Sequence, residues 1–245
     1  MDRIKYGTLD PAAPIATQLY VLLREAIIRN EFAPGDRLSE SEIAKAYSVS
    51  RQPVREAFIK LASEGLLAVL PQRGTFVTKI AYSAVLDARF LREAIEADIV
   101  KILAIDRDPA LVRELRSQLK AQQAITRANP QDFIELDENF HRTLADGAGK
   151  RGTWRLIDGL KSQMDRVRFL SLGKFPIKKL IAQHVAVVDR IESGDLLGAN
   201  AAIRFHLREV LSDLPQILEA NPDFFELPAG EIPVPVNAPI QQGGN

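Results

Sequence analysis

The hydrophobic pattern changes near residue 80, and that change restricts this chain to a two-part molecule. Before it, short helical stripes alternate with turn signals and end in a strand-like alternation. After it, nearly every segment repeats at helical period. The longest apolar runs, Leu19 to Leu23 and Leu66 to Leu70, are five residues, far too short for a spanning helix. Residues 1–6 lack the apolar stretch of a signal peptide. There is no cysteine, hence no disulfide framework and no thiolate chemistry. The expectation is a cytoplasmic protein.

In the first part, Leu19, Leu22, Leu23, Ala26 and Ile27 form one stripe of a helix from about Ala13 to Asn30. Pro34-Gly35-Asp36 is a turn, and Ser39-Glu40-Ser41-Glu42 reads as a capping box opening a short second helix. Ser50 suits the N-cap of a third helix, with Pro53 in its first turn. Val54, Ala57, Phe58 and Leu61 make its buried stripe, leaving Arg51, Gln52, Arg55 and Lys60 off it. Leu66 to Leu70, the turn Pro71-Gln72-Arg73-Gly74 and Thr75 to Thr78 read as a two-stranded hairpin.

Three short helices and a hairpin make a winged helix-turn-helix. Its third helix suits the major groove, where Arg51 and Arg55, four apart on one face, can read guanine edges with paired donors. Ser50 and Gln52 stand at its N-terminal end, which favours a phosphate. Arg73 and Gly74 at the hairpin tip can approach the backbone or minor groove. The plainer alternative for Arg51 and Arg55 is a solvated, ion-paired helix face. The net charge of the chain is zero, with 32 basic and 32 acidic residues, which by itself argues against a nucleic-acid partner. Residues 1–80 carry a balance of +2, however, and the remainder −2.

Residues 15–80 resemble the DNA-binding domain of the GntR family of bacterial transcription regulators. The resemblance rests on Pro34-Gly35-Asp36-Arg37-Leu38-Ser39-Glu40, Val49-Ser50-Arg51-Gln52-Pro53-Val54-Arg55-Glu56-Ala57, Leu61-Ala62-Ser63-Glu64-Gly65-Leu66-Leu67 and Arg73-Gly74-Thr75-Phe76-Val77. It implies base contacts from Arg51 and Arg55 and a minor-groove position for Gly74. Some members carry arginine where this chain has Ser41.

The second part offers six helical segments, about 82–105, 108–128, 130–147, 152–171, 175–193 and 195–219, which read as an antiparallel bundle. Asp108-Pro109, Asn129-Pro130, Gly149 to Gly152, Phe175-Pro176 and Ser193-Gly194-Asp195 punctuate them. All three histidines fall here. Asp137 precedes His141 by four residues, so both share a face. His184 lies 10 residues before Gly194 and His206 lies 12 after it, so an antiparallel hairpin brings them to one height, roughly 15–18 Å from the turn. If the third segment packs on that hairpin, three imidazoles and a carboxylate converge as a divalent-metal site. The alternative is three core histidines bonded to carbonyls, with Asp137 pairing Arg142 or capping a turn.

Residues 82 to about 215 are similar to the helical effector (FCD) domain of the FadR subfamily. The similarity rests on Leu91-Arg92-Glu93-Ala94-Ile95-Glu96, Asp137-Glu138-Asn139-Phe140-His141-Arg142-Thr143-Leu144 and Ile191-Glu192-Ser193-Gly194-Asp195. It implies metal ligation by Asp137, His141, His184 and His206, and a small organic acid as effector. Six helices rather than seven point to the VanR-like group. The ligand types suit zinc best, with nickel, manganese or iron also compatible. Arg92 either clamps the acid's carboxylate or pairs with Glu96 at i+4.

The expected fold is therefore mainly α. An N-terminal arm (1–12) precedes a winged helix-turn-helix (13–80) and an all-α antiparallel bundle of about six helices (81–220) for effector, metal and dimer contacts; residues 221–245, with several prolines and no periodicity, form a disordered tail. The expected function is a ligand-responsive repressor binding a pseudo-palindromic operator as a homodimer, not an enzyme and not a membrane protein. A metalloenzyme built on the His₃Asp set is the alternative, but it leaves the winged helix without a use.

Overall fold

The computed structural model describes residues 7–125, 130–171 and 177–230. The first domain follows the order α1 (Ile15–Ile28), β1 (Arg37–Leu38), α2 (Glu40–Tyr47), α3 (Arg51–Ser63), β2 (Leu67–Leu70) and β3 (Gly74–Val77). Leu19, Leu23 and Ile27 of α1 meet Val54, Phe58 and Leu61 of α3, with Ile43 and Leu66, in one core. Burying each such side chain contributes about 1.5–3 kcal/mol. The Glu42 amide donates to Ser39 Oγ at 3.4 Å and caps α2. Gly65 at φ +70° closes α3, and the Leu66 amide returns to the Leu61 carbonyl at 3.0 Å.

Two expectations for this half need correction. The sheet has three strands, not two: β1 pairs antiparallel with β3, Arg37 opposite Phe76 and Leu38 opposite Thr75, while β2 holds the other edge. The turn at Pro34 to Asp36 lays Arg37 and Leu38 along that edge, and a two-residue strand has no period to read. Residues 7–12 of the expected arm are also fastened. The Asp10 amide donates to Gln18 Oε1 at 2.7 Å, Gln18 Nε2 donates back to the Asp10 carbonyl at 2.9 Å, and Leu9 packs on the core. Residues 1–6 lie outside the described residues.

After β4 (Ile80–Ala81) come α4 (Tyr82–Asp106), α5 (Pro109–Ala124), α6 (Pro130–Gly147), α7 (Arg151–Leu160), α8 (Ser162–Leu170), α9 (Ile177–Ser193), α10 (Leu196–Leu207) and α11 (Glu209–Ala220). Among the described residues the bundle therefore has eight helices rather than six, which removes the helix count as a ground for a VanR-like assignment. The segment expected at 152–171 breaks at Lys161. Its buried ammonium is held at that corner by Asp165 at 2.6 Å and Glu138 at 2.8 Å. The segment at 195–219 breaks at Arg208, whose guanidinium turns back to Glu93 on α4. Pro215 inside α11 removes a further helix donor.

Other boundaries follow their signals. Asp108 caps α5 through the Ala110 amide at 2.8 Å, and Asp195 caps α10 through the Gly198 amide at 2.8 Å. Asn129, Phe175 and Pro176 lie outside the described residues. Within the expected tail, Pro222–Phe224 form a 3₁₀ turn and β5 (Phe225–Glu226) pairs in parallel with β4, Ile80 opposite Phe225. Phe225 is buried with Ile80 and Leu214, which is why this segment is fixed without periodicity. Residues 231–245 lie outside the described residues.

The helix α4 is the spine of the bundle, in contact with α6, α7, α8, α9 and α10. It buries four charged residues. Glu93 receives Arg89, Arg204 and Arg208, and Glu96 receives Arg92 and His141. The two domains meet along α1 and α8. Arg24 Nε donates to Glu64 at 3.0 Å and its Nη2 donates to the Asp158 carbonyl at 2.7 Å and to Ser162 Oγ at 2.9 Å. Gln163 Nε2 donates to the Gly65 carbonyl at 3.0 Å, and Asn30 Nδ2 donates to the Arg166 carbonyl at 2.9 Å.

Candidate functional site

Asp137 and His141 come from α6, His184 from α9 and His206 from α10, and all four are buried. His206 Nε2 lies 3.1 Å from both His141 Nε2 and His184 Nε2. Asp137 Oδ1 lies 3.3 Å from His184 Nε2 and 3.9 Å from His141 Nε2, and accepts no hydrogen bond. One ligand atom from each residue lies within 4.8 Å of the others. The four residues thus lie together as the spacing argument expected, with each imidazole also bonded on its outer side.

The outer ring nitrogens fix the protonation of the inner ones. His141 Nδ1 faces Glu96 Oε2 at 2.5 Å, His184 Nδ1 faces Gln122 Oε1 at 2.9 Å and His206 Nδ1 faces Gln183 Oε1 at 3.0 Å. Gln122 Nε2 and Gln183 Nε2 donate to the Leu136 carbonyl at 3.3 Å and Glu209 at 2.8 Å, which fixes each amide with its oxygen toward the ring. Each Nδ1 therefore carries the proton, and each Nε2 presents a lone pair to the shared centre. Three lone pairs and a carboxylate oxygen facing one another repel unless a cation lies between them. The donor set fits a divalent metal ion on that ground.

Charges around the centre agree. Burial favours a protonated Asp137, but the buried guanidinium of Arg168, which donates to its Oδ2, holds the carboxyl well below the usual range. Burial lowers His184 against the pull of Asp137, and burial with two neighbouring rings lowers His206 well below the ordinary histidine value. Burial opposes ionisation of Glu96, yet Arg92 and His141 bring it to about 2. Sequence reasoning missed Gln122, Gln183 and Arg168. Glutamine obeys no ligand spacing, and Arg168 lies in the segment read as one unbroken helix. Glu96 was weighed only as a partner for Arg92.

A cavity of about 50 Å³ adjoins the cluster. Arg92, Asp137, Arg168 and His206 are its polar residues on the side of the His₃Asp cluster, and Met164, Val167 and Ile217 are among its apolar residues. Of the two alternatives for Arg92, the ion pair with Glu96 is the one present. Its Nε donates to Glu96 at 2.6 Å, while Nη2 is buried without a hydrogen-bond partner among the described residues.

On the first domain, Ser50, Arg51, Gln52 and Arg55 are exposed at the N-terminal end of α3. The Ser50 hydroxyl makes no cap bond, contrary to the capping expected of it. Arg51 pairs with Glu40 at 3.0 Å and Gln52 with Glu56 at 3.0 Å. At the hairpin tip the Arg73 amide donates to the Leu70 carbonyl at 3.0 Å, with Pro71 and positive-φ Gln72 at the corners, the type II arrangement. Gly74 has φ +115°, and a Cβ there would stand 2.8 Å from Arg37 Nε. The Arg37 guanidinium therefore lies beside the tip of the wing, a position invisible without the third strand.

A winged helix ahead of a helical bundle with a buried His₃Asp centre defines a class of bacterial regulators. The family model "Bacterial regulatory proteins, gntR family" matches residues 15–77, and that of the FCD domain matches residues 87–209. The chain belongs to the GntR family and carries an FCD domain. It is 38% identical over 219 residues to the HTH-type transcriptional repressor RspR of Escherichia coli (strain K12), covering 89% of this chain and 96% of that protein. It is 39% identical over 217 residues to an HTH-type transcriptional regulator in unstable DNA locus of Streptomyces ambofaciens, covering 88% and 92%. Among solved structures, a GntR regulator from Rhodococcus sp. RHA1 superposes with TM-score 0.65 at 26% identity, over 84% of this chain and 98% of that one. E. coli McbR/YncC superposes at 0.69 with 17% identity, over 83% and 98%, a likeness of fold alone. These relatives are DNA-binding transcription regulators rather than enzymes, and so is this chain. Among the described residues no helix is long and apolar enough to cross a membrane.

Proposed function

We propose that this chain is a repressor that binds a pseudo-palindromic operator as a homodimer and releases it when a small organic acid binds beside a metal ion in the helical domain. The observation that carries the reading is the convergence of three Nε2 atoms and Asp137 Oδ1 beside a cavity that Asp137 and His206 line together with Arg92. Asp137, His141, His184 and His206 would hold the metal, zinc by ligand type, with nickel, manganese and iron compatible. A bound divalent ion supplies a fixed positive charge for a ligand oxygen. Arg92 Nη2 supplies the donor that orients the carboxylate.

On the DNA side, Arg51 and Arg55 read base edges in the major groove, Ser50 and Gln52 approach the phosphates, and Arg73, Gly74 and Arg37 form the wing contact. Residues 13–80 and 81–220 act as the DNA-binding and effector halves, and an operator partner puts the working protein in the cytoplasm. The two-fold partner is a second copy. Phe90, Ile102 and Ile105 of α4 and Leu197 and Phe205 of α10 are exposed on two packed helices, an apolar surface suited to a self-complementary contact.

Elemental analysis of the purified protein and of His184→Ala tests the centre. The expected result is about one divalent ion per chain in the parent and a clear loss in the variant; full occupancy in the variant would refute the ligand set. An operator selected from random duplex DNA tests the other half. Arg51→Ala and Arg55→Ala should each weaken binding by about 1–3 kcal/mol, and binding should fall steeply with salt. Unchanged affinity in both variants rules out the base-reading role.

A further inference from the structure

We infer that Asp213 selects the acid: the cavity is built for a carboxylic acid that also carries a remote hydrogen-donating group, an ammonium or a hydroxyl. This deepens the acid-sensing reading above and rests on it. Asp213 is on α11, beyond the break at Arg208 that separates that helix from His206 on α10, and lines the same cavity as His206 and Arg92. Val210, Asp213 and Ile217 face the cavity at i, i+3 and i+7, so the one carboxylate stands in an apolar stripe.

Its neighbours leave it without a partner. Glu209, one turn earlier, is engaged on both oxygens, by Lys179 and by Gln183. Asp213 is half-buried and makes no hydrogen bond or ion pair to any described residue. Burial, with Glu209 adding to it, raises its carboxyl above the ordinary aspartate value against the pull of Lys179, whose ammonium is bonded to Glu209 rather than to Asp213. At the other end Arg92 Nη2 is buried and equally unpartnered. The cavity thus holds a donor seeking an acceptor and an acceptor seeking a donor, separated by apolar wall.

A plain monocarboxylate satisfies the arginine and leaves the aspartate facing methylene groups. A dicarboxylate sets like charges together. An acid with a terminal amine or hydroxyl satisfies both, while an analogue without that group displaces water from the half-buried Asp213 and gives it no donor in return. A cavity of about 50 Å³ admits only a short chain, since a water takes ~10–15 Å³ of such volume.

The test is calorimetric titration of the full-length, metal-containing protein with 4-aminobutanoate, 4-hydroxybutanoate, butanoate and succinate. The amino or the hydroxy acid should bind at least tenfold more tightly than butanoate, with succinate weakest. Asp213→Asn, near-isosteric, should erase the preference and tighten succinate; Asp213→Ala repeats the comparison, with melting temperature as the folding check. Equal affinity for butanoate and both bifunctional acids in the parent overturns the inference, as does an unchanged order in both folded variants. If none of the four acids binds a protein that still binds its operator, the acid-sensing reading falls, and this inference with it.

Discussion

At the residue scale, each imidazole of the proposed metal site is aimed by a group outside the ligand set. Gln183 is the clearest case, because its amide links His206 Nδ1 to Glu209 and so to Lys179. Gln183→Ala frees the ring and leaves Glu209 half-paired. Metal affinity should fall about 10- to 100-fold with the four ligands untouched, read by competition with a chromophoric chelator. Equal affinity would mean that the ring is held by packing alone. The ligands themselves were legible because helical period and a central glycine turn convert sequence distance into height along a hairpin. The supporting residues were not. A glutamine that orients a histidine from another helix leaves no interval to count, as Gln122, 62 positions from His184, shows. Arg92 and Glu96 were legible as a pair, but that one guanidinium nitrogen would remain unpaired toward a cavity depends on tertiary packing.

At the scale of elements, the helices of the first domain could be read closely because caps and stripes coincide. Val54, Ala57, Phe58 and Leu61 are all buried as the period requires. The wing was read one strand short. Its geometry makes Gly74 a demanding position, since both the positive φ and the Arg37 guanidinium oppose a side chain. Gly74→Ala should lower stability by about 1–2 kcal/mol in chemical denaturation and weaken operator binding further than that loss accounts for. Full stability in this variant would show that the wing relaxes freely. In the bundle the helix boundaries at Lys161 and Arg208 escaped the pattern, because neither is marked by glycine or proline. Each break is made by a charged side chain drawn to carboxylates on other helices, which the linear sequence does not display.

At the scale of the molecule, zero net charge proved a poor guide. Charge is sorted rather than absent, with arginines exposed on α3 and at the wing and a spine of paired charges sealed inside α4. The helix α8 lies between the two halves. Met164, Val167 and Arg168 line the cavity, while Ser162, Gln163 and Arg166 hold α1 and the end of α3. Arg166 is fully buried with no carboxylate beside it, and burial brings its guanidinium down to about 10. The seam is thus polar and strained rather than oily, a contact suited to more than one arrangement.

The carbonyl of Gly65, the glycine that closes α3, accepts from Gln163 Nε2. The winged helix is therefore fastened at the end of α3 to the helical domain, and in the homodimer proposed above the angle between two winged helices would belong to the bundle. Base preference and half-site spacing are then separable properties, one written in α3 and the other in the seam. Gln163→Ala combined with Arg24→Ala should leave the selected half-site sequence unchanged and broaden the tolerated spacing between half-sites, measured by selection from duplexes with randomised spacers. An operator for such a regulator is a ruler as well as a word, and the ruler is cut by a helix that never touches DNA.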